Sequence, residues 1–372
     1  MLIGVPKEIK NHEYRVGMTP TSVREAVRHE HKVLVQASAG SGIGATDEDY
    51  RKAGATIVDK PEEIFATAEM IVKVKEPQAV ERRMLRENQI LYTYLHLAPD
   101  PEQTKDLVNS GAVCIAYETV TGPRGGLPLL APMSQVAGRM SIQSGAHCLE
   151  KAQGGRGVLL GGVPGVAPAK VVILGGGVVG TNAAAMALGL GADVVILEKS
   201  TERMEELVAR FGTHLKTLYS TQGAVEDECE TADLVVGGVL IPGAAAPKLV
   251  TRDMLKSWKP GSVLVDVAID QGGCAETSRP TTHADPTYIV DGVIHYCVAN
   301  MPGGVARTST YALNNVTLPF ALALAGKGYR RALLEDPHLR NGLNVYKGKV
   351  TYKAVADDLG YKYINAESAL AA

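Results

Sequence analysis

Aromatic residues are scarce in this chain: 14 tyrosines, 3 phenylalanines and the single Trp258 stand against 40 glycines in 372 residues. That balance suits a glycine-punctuated α/β enzyme and is not that of a low-complexity chain. The 5 cysteines (Cys114, Cys148, Cys229, Cys274, Cys297) are odd in number, scattered, and never spaced as C-x-x-C. The spacing argues against a disulfide framework or a zinc site and fits buried thiols in a reducing cytoplasm. Charge of one sign is also missing. A formal net charge of −2 offers no electrostatic reason to expect nucleic acid or an anionic membrane as partner. No apolar run approaches the roughly 18 residues that suggest a membrane span, and the N-terminus turns charged at Lys7 without a signal-peptide apolar region. There is no short internal repeat and no long linker. What remains is a chain too long for one ordinary core, with two domains as the expectation.

The most informative stretch is Lys170 to Glu198, KVVILGGGVVGTNAAAMALGLGADVVILE. An apolar, β-branched run (Val171–Leu174) predicts a buried parallel strand. Gly175, Gly177 and Gly180 follow as G-x-G-x-x-G, then an Ala-rich helix to Leu190, a turn, a second strand over Val194–Leu197, and the acidic Glu198. In that order the glycines are a dinucleotide fingerprint: a tight turn, close backbone approach to a pyrophosphate, and close helix–strand packing. The start of the helix offers unpaired N–H groups to phosphate. Glu198 is placed to accept from the ribose hydroxyls and to repel a 2′-phosphate, which favours NAD; Lys199 beside it leaves NADP open.

Elsewhere strands and helices alternate, which implies parallel sheets. Strands are expected at Leu2–Val5, Val33–Val35, Met70–Val74, Ile90–Leu95, Ala112–Ala116, Leu234–Val239, Val263–Ala268 and Ile294–Val298. Thr19 and Asp100 should cap helices that begin with Pro20 and Pro101. A Gly/Pro-rich stretch at 121–132 suggests a domain crossing, with a helix over Ser134 to about Lys151 after it. The tail from Leu333 has mixed helical composition, and the first domain is discontinuous if that tail packs on it.

Ligands bind outside the carboxyl ends of parallel strands. Four reactive side chains follow predicted strands: Arg15, Lys75, His96 and Asp270. Each has a plain structural alternative: an exposed loop arginine, a charged strand end, a hydrogen-bonded histidine, a helix cap. As a set of acid, base and two cations they suit a cleft between two domains.

The chain resembles the bacterial NAD-dependent alanine dehydrogenases along essentially its whole length. The resemblance is carried by GVPKEIKNHEYRVGMTP, VKVKEP, YTYLHLAPD, APMSQVAGRMS, GGGVVG, VLVDVAIDQGGCAETSRPTTH and VANMPGGVARTST. It implies NAD-linked, reversible oxidative deamination of L-alanine to pyruvate and ammonia by a cytoplasmic homo-oligomer, commonly a hexamer. It also implies two Rossmann-like α/β domains with parallel sheets: residues 1–129 and 308–372 as the substrate domain, 130–307 as the NAD domain. Arg15 and Lys75 carry over as substrate contacts, His96 and Asp270 as catalytic residues. Ser134, Val178, Glu198, Ser220, Val239, Leu240, Val267, Asp270, Val298, Asn300 and Met301 join the three glycines as cofactor contacts. Some members place a divalent ion near Glu118 with a C-terminal histidine; here ALALAGKGYRR has Lys327 and no histidine, so no metal is expected. The wider family supplies the rivals, a saccharopine-type dehydrogenase and the nucleotide-binding module of a transhydrogenase.

Overall fold

The computed structural model describes residues 1–239 and 246–371, and the chain divides into two compact units, Met1–Met133 with Gly303–Ala372, and Ser134–Pro302. The first crossing falls inside the helix Ala131–Cys148 rather than in the Gly/Pro-rich stretch before it. That stretch is held within the first unit, where the Tyr94 hydroxyl donates to the Leu129 carbonyl and the Thr121 amide to that of His338.

The first unit is built on strands β1 (Leu2–Val5), β2 (Lys32–Gln36), β3 (Thr56–Val58), β4 (Met70–Val72), β5 (Ile90–Thr93) and β6 (Val113–Ala116). The second holds β7 (Lys170–Leu174), β8 (Asp193–Glu198), β9 (Leu215–Tyr219), β10 (Leu234–Gly237), β11 (Val263–Asp266), β12 (Thr287–Val290) and β13 (Val293–Tyr296). The chain then returns to the first unit with β14 (Leu343–Tyr346) and β15 (Lys349–Val350). The sheet orders are β15-β14-β6-β5-β4-β1-β2-β3 and β12-β13-β11-β10-β7-β8-β9.

Both sheets are mostly parallel, with antiparallel pairs at one edge: β14 against β6 and β15, and β12 against β13. This agrees with the expected α/β domains built on parallel sheets, the antiparallel pairs being confined to one edge of each. The tail is not only helical. β14 and β15 form a hairpin whose connecting residues, Lys347 and Gly348, both have positive φ (48° and 82°), as a two-residue primed turn requires. Pairing of β14 with β6 makes the first unit discontinuous in sequence.

Local chemistry sets the helix starts. Thr19 accepts from the Ser22 amide before Pro20, and Asp100 from the Gln103 amide before Pro101. The parallel strands are apolar on both faces because both are covered. In β7, Val171 and Ile173 enter one core while Val172 and Leu174 enter another.

All five cysteines are buried and unpaired. Burial raises the thiols of Cys148 and Cys297 to about 11 and those of Cys114 and Cys229 to about 12. At about pH 8 the native protein is therefore expected to leave an aromatic disulfide reagent unreacted, while the denatured chain titrates as five thiols. Reaction of a native thiol on the mixing timescale would refute this.

Candidate active site

Each sheet has a point where strand order reverses, and in open α/β sheets the crevice at that point takes ligands. In the first unit it lies between β1 and β4. The loop after β1 carries Arg15, and the chain leaving β4 carries Lys75. β5 and β6, next in the sheet, lead into His96 and Glu118.

Arg15 is only 2% exposed, so it is not the solvated loop arginine that its charged neighbours would allow. Its Nε and Nη2 donate to the two carboxylate oxygens of Glu13 at 2.7 and 2.6 Å, and Nη1 faces the Met133 sulfur at 3.1 Å. Burial acts to lower the guanidinium pKa, but the hydrogen bonds and charge of Glu13 outweigh it and raise the value. Lys75 is half-buried, its Nζ 3.9 Å from Glu76, and Glu76 also pairs with Lys10. Burial pushes Glu76 up; the charge of Lys75 and the bond from Lys10 prevail, and it lies below the ordinary value.

Behind these two cations is a buried ionic cluster with no clear mark in the sequence. Lys73 is fully buried and bridges Glu8 at 3.0 Å and Glu81 at 2.8 Å. The other Glu8 oxygen accepts from the Val74 amide, and the other Glu81 oxygen from the Gln78 amide, both at 2.7 Å. The cluster thus ties the Arg15 loop to the strand end that carries Lys75.

The His96 side chain is exposed and stands on a left-handed backbone, φ +50°. The Tyr94 ring stacks on it at 5.9 Å with an interplanar angle of 12°. The Leu95 and His96 amides donate to Glu118. Among the described residues no group of three or more His, Cys, Asp or Glu side chains could hold a metal ion.

In the second unit the reversal lies between β7 and β10. Gly175, at the end of β7, has φ +95°, and a Cβ on Gly180 would lie 1.9 Å from the Gly175 carbonyl oxygen. Both positions therefore require glycine. A Cβ on Gly177 would meet nothing within 4 Å, and Gly177 caps the helix Val178–Gly189 without a side-chain bond. Open space thus lies at unpaired N–H groups at the start of a helix, which fits a dinucleotide pyrophosphate. Val239, after β10, lies against Gly175. Ser220 follows β9, Val267 opens the turn after β11, and Val298, Asn300 and Met301 follow β13. Ser134 is half-buried near the start of its helix. Leu240 lies outside the described residues.

Glu198 is more engaged than its place in the fingerprint suggests. Its carboxylate accepts from the Gly176 amide at 2.7 Å and from the Lys199 and Ser200 amides at 2.7 and 3.0 Å. Burial acts to raise it, but these bonds and the charge of Arg203 hold it below its ordinary value and ionised. Arg203 donates to the Gly176 carbonyl and to Thr181, a second brace on the glycine loop that the fingerprint does not contain. Asp270 is exposed in the 3₁₀ turn Val267–Gln271 and does not cap it. Asp266 does: fully buried at the end of β11, it accepts from the Ala268 and Cys274 amides and from the Ser278 hydroxyl. An aspartate closing an apolar strand ahead of a Gly-Gly pair was the available signal.

Two α/β units, one with a complete glycine loop at its switch point, define a dinucleotide-binding protein of the doubly wound class. Family models for the N-terminal and C-terminal domains of alanine dehydrogenase/PNT match residues 4–137 and 141–353. The chain is 62% identical to the alanine dehydrogenase of Halomonas elongata over 99% of both chains. A solved L-alanine dehydrogenase superposes with a TM-score of 0.94 at 52% identity, covering 97% of this chain and 99% of that one. A transhydrogenase from Sinorhizobium meliloti superposes at 0.82 and 26% identity, covering 94% and 100%. The chain belongs to the alanine dehydrogenase/PNT family.

Proposed function

We propose that this protein catalyses the reversible, NAD-dependent oxidation of L-alanine to pyruvate and ammonia, with Arg15, Lys75, His96 and Asp270 as its working residues. The observation that carries the reading is a buried arginine and a half-buried lysine flanking one switch point in a chain that matches an alanine dehydrogenase from end to end. Two cations call for a small carboxylate substrate.

Arg15 binds the substrate carboxylate. Glu13 holds the Nε–Nη2 edge of its fork. This refines a simple two-point grip: Glu13 fixes the plane of the guanidinium before substrate arrives. Lys75 adds the second positive charge. The residues of the glycine loop, Glu198, Val239 and the loops after β9, β11 and β13 would hold NAD, which would supply the hydride acceptor. Loss of hydride from Cα of the neutral amine form of alanine leaves an iminium. Water adds to that carbon and gives up a proton to His96. His96 returns that proton to the carbinolamine nitrogen, the C–N bond breaks as the hydroxyl gives up its proton to solvent, and pyruvate and ammonia leave. A histidine suits proton traffic in both directions near neutral pH. Asp270 orders the attacking water and stabilises the cationic intermediate by charge. The acting form is a cytoplasmic homo-oligomer, a hexamer on the family pattern, whose mass in solution tests it. The substrate domain is the unit containing β1, and the NAD domain the unit containing β7.

The test is NADH formation with L-alanine, compared with saccharopine and with hydride transfer to an acceptor dinucleotide. Turnover with L-alanine alone is expected. Transfer between dinucleotides without deamination would favour the transhydrogenase-like reading. For the cofactor, Glu198→Ala should raise the KM for NAD and improve use of NADP. The substitution removes both the ribose acceptor and the brace on Gly176. Unchanged preference would remove Glu198 from cofactor choice.

A further inference from the structure

We propose that Glu118 is a positioning residue for His96, acting through the backbone on either side of it; this rests on the reading of His96 as the acid/base. His96 is a non-glycine residue at φ +50°, a conformation that persists only when its surroundings over-determine it. Here they do. Glu118 lies in the turn Tyr117–Thr119 after β6, the strand beside β5. Its Oε1 accepts from the His96 amide at 2.6 Å and the Leu95 amide at 3.1 Å, and its Oε2 lies 3.2 Å from the Leu95 amide. The Leu95 carbonyl accepts from Gln103, a fully buried side chain, at 2.6 Å, and the Leu97 carbonyl accepts from the Thr104 hydroxyl at 3.0 Å.

Of these anchors only Glu118 takes the amide of His96 itself. Two consecutive amides converging on one point form a concave donor pair, and an ionised acceptor binds such a pair more strongly than a neutral one. The carboxylate therefore supports the left-handed turn and so the direction in which the imidazole leaves the chain. Glutamine can accept at one oxygen but presents an NH₂ group in place of the other, towards the Leu95 amide. It should hold the turn in part. Alanine should not hold it.

The experiment combines steady-state kinetics on L-alanine and NAD with amide hydrogen exchange over residues 94–97. Its variants are Glu118→Ala, Glu118→Gln, His96→Asn and the double variant His96→Asn/Glu118→Ala. Glu118→Ala is expected to lose about 10²-fold in kcat, the scale of a misplaced catalytic group, with the KM for NAD unchanged. Glu118→Gln should fall between it and wild type. The Leu95 and His96 amides should exchange faster in Glu118→Ala, whatever the activity. In the His96→Asn background the alanine substitution should cost nothing further, because its effect passes through the imidazole.

Wild-type kcat in Glu118→Ala would overturn the proposal, as would unchanged exchange at 94–97. An undiminished loss in the His96→Asn background would overturn it too, since Glu118 would then act elsewhere. If Glu118→Ala fails to fold, Glu118→Gln carries the same comparison. The two readings fail separately. An impaired His96→Asn beside a fully active Glu118→Ala removes this proposal alone, while a fully active His96→Asn removes the acid/base reading and this proposal with it.

Discussion

His96→Asn should lower turnover by about 10²–10⁴-fold, the usual contribution of a positioned acid/base, while leaving NAD binding nearly intact. Asparagine suits the test because it tolerates the left-handed region that His96 occupies (φ +50°) but does not titrate near neutral pH. The backbone amide that bonds Glu118 is retained, and the lost imidazole is exposed. The fold therefore has little reason to respond, and a thermal melt should be close to wild type. The effect should fall on kcat in both directions, since the same group takes a proton when water adds and supplies one when ammonia leaves. Fluorescence titration with NADH separates binding from chemistry. A variant with wild-type kcat would end the proposed role, and one that lost NADH affinity in parallel would reassign His96 to cofactor binding.

Lys73→Met should strongly destabilise the first unit. Methionine roughly matches the volume of the aliphatic stem, so the cost is electrostatic. Glu8 and Glu81 would remain buried without their shared cation, and removing one member of a buried ion pair costs about 3–5 kcal/mol. The cluster cannot simply be exchanged for apolar side chains, because both carboxylates also satisfy backbone amides, Val74 and Gln78. Lys73→Met with Glu8→Leu and Glu81→Leu should therefore remain less stable than wild type. The pH dependence has a definite sign. Burial, partly offset by Lys73, already raises the Glu8 carboxyl above its ordinary value, and loss of Lys73 raises it further. Between the unfolded and folded values the native state binds more protons, so stability falls as pH rises. The deficit should be largest near neutral pH and shrink as the pH is lowered towards the ordinary carboxylate range. Denaturant unfolding at several pH values checks this; a deficit that ignores pH would mean that packing, and not charge, sets it.

The parts of the fold legible in the sequence are those whose chemistry is local. A hydroxyl or carboxylate cap next to proline starts a helix within four residues, as at Thr19 and Asp100. Short apolar β-branched runs marked most of the parallel strands. The more polar or shorter ones, Thr56–Val58, Leu215–Tyr219 and Thr287–Val290, lie near or at sheet edges, where half-burial leaves a weaker pattern. Leu343–Tyr346 escaped for another reason: its primed hairpin turn, Lys347-Gly348, was present but sat in a tail of helical composition.

The candidate site divides in the same way. The sequence alone determined which side chains end parallel strands, where the glycine loop lies, and that Gly175 and Gly180 must be glycine, because each follows from contacts a few residues long. Tertiary structure alone decided the strand order that sets β4 beside β1 and β10 beside β7. It also returned β14 to β6 and gave Lys73 its two carboxylates and the His96 loop its anchor on Glu118. The physical reason is that strand pairing and charge pairing act through space. A strand's period does not name its neighbour, and a glutamate's charge does not say whether it will face water, a lysine or two convergent amides.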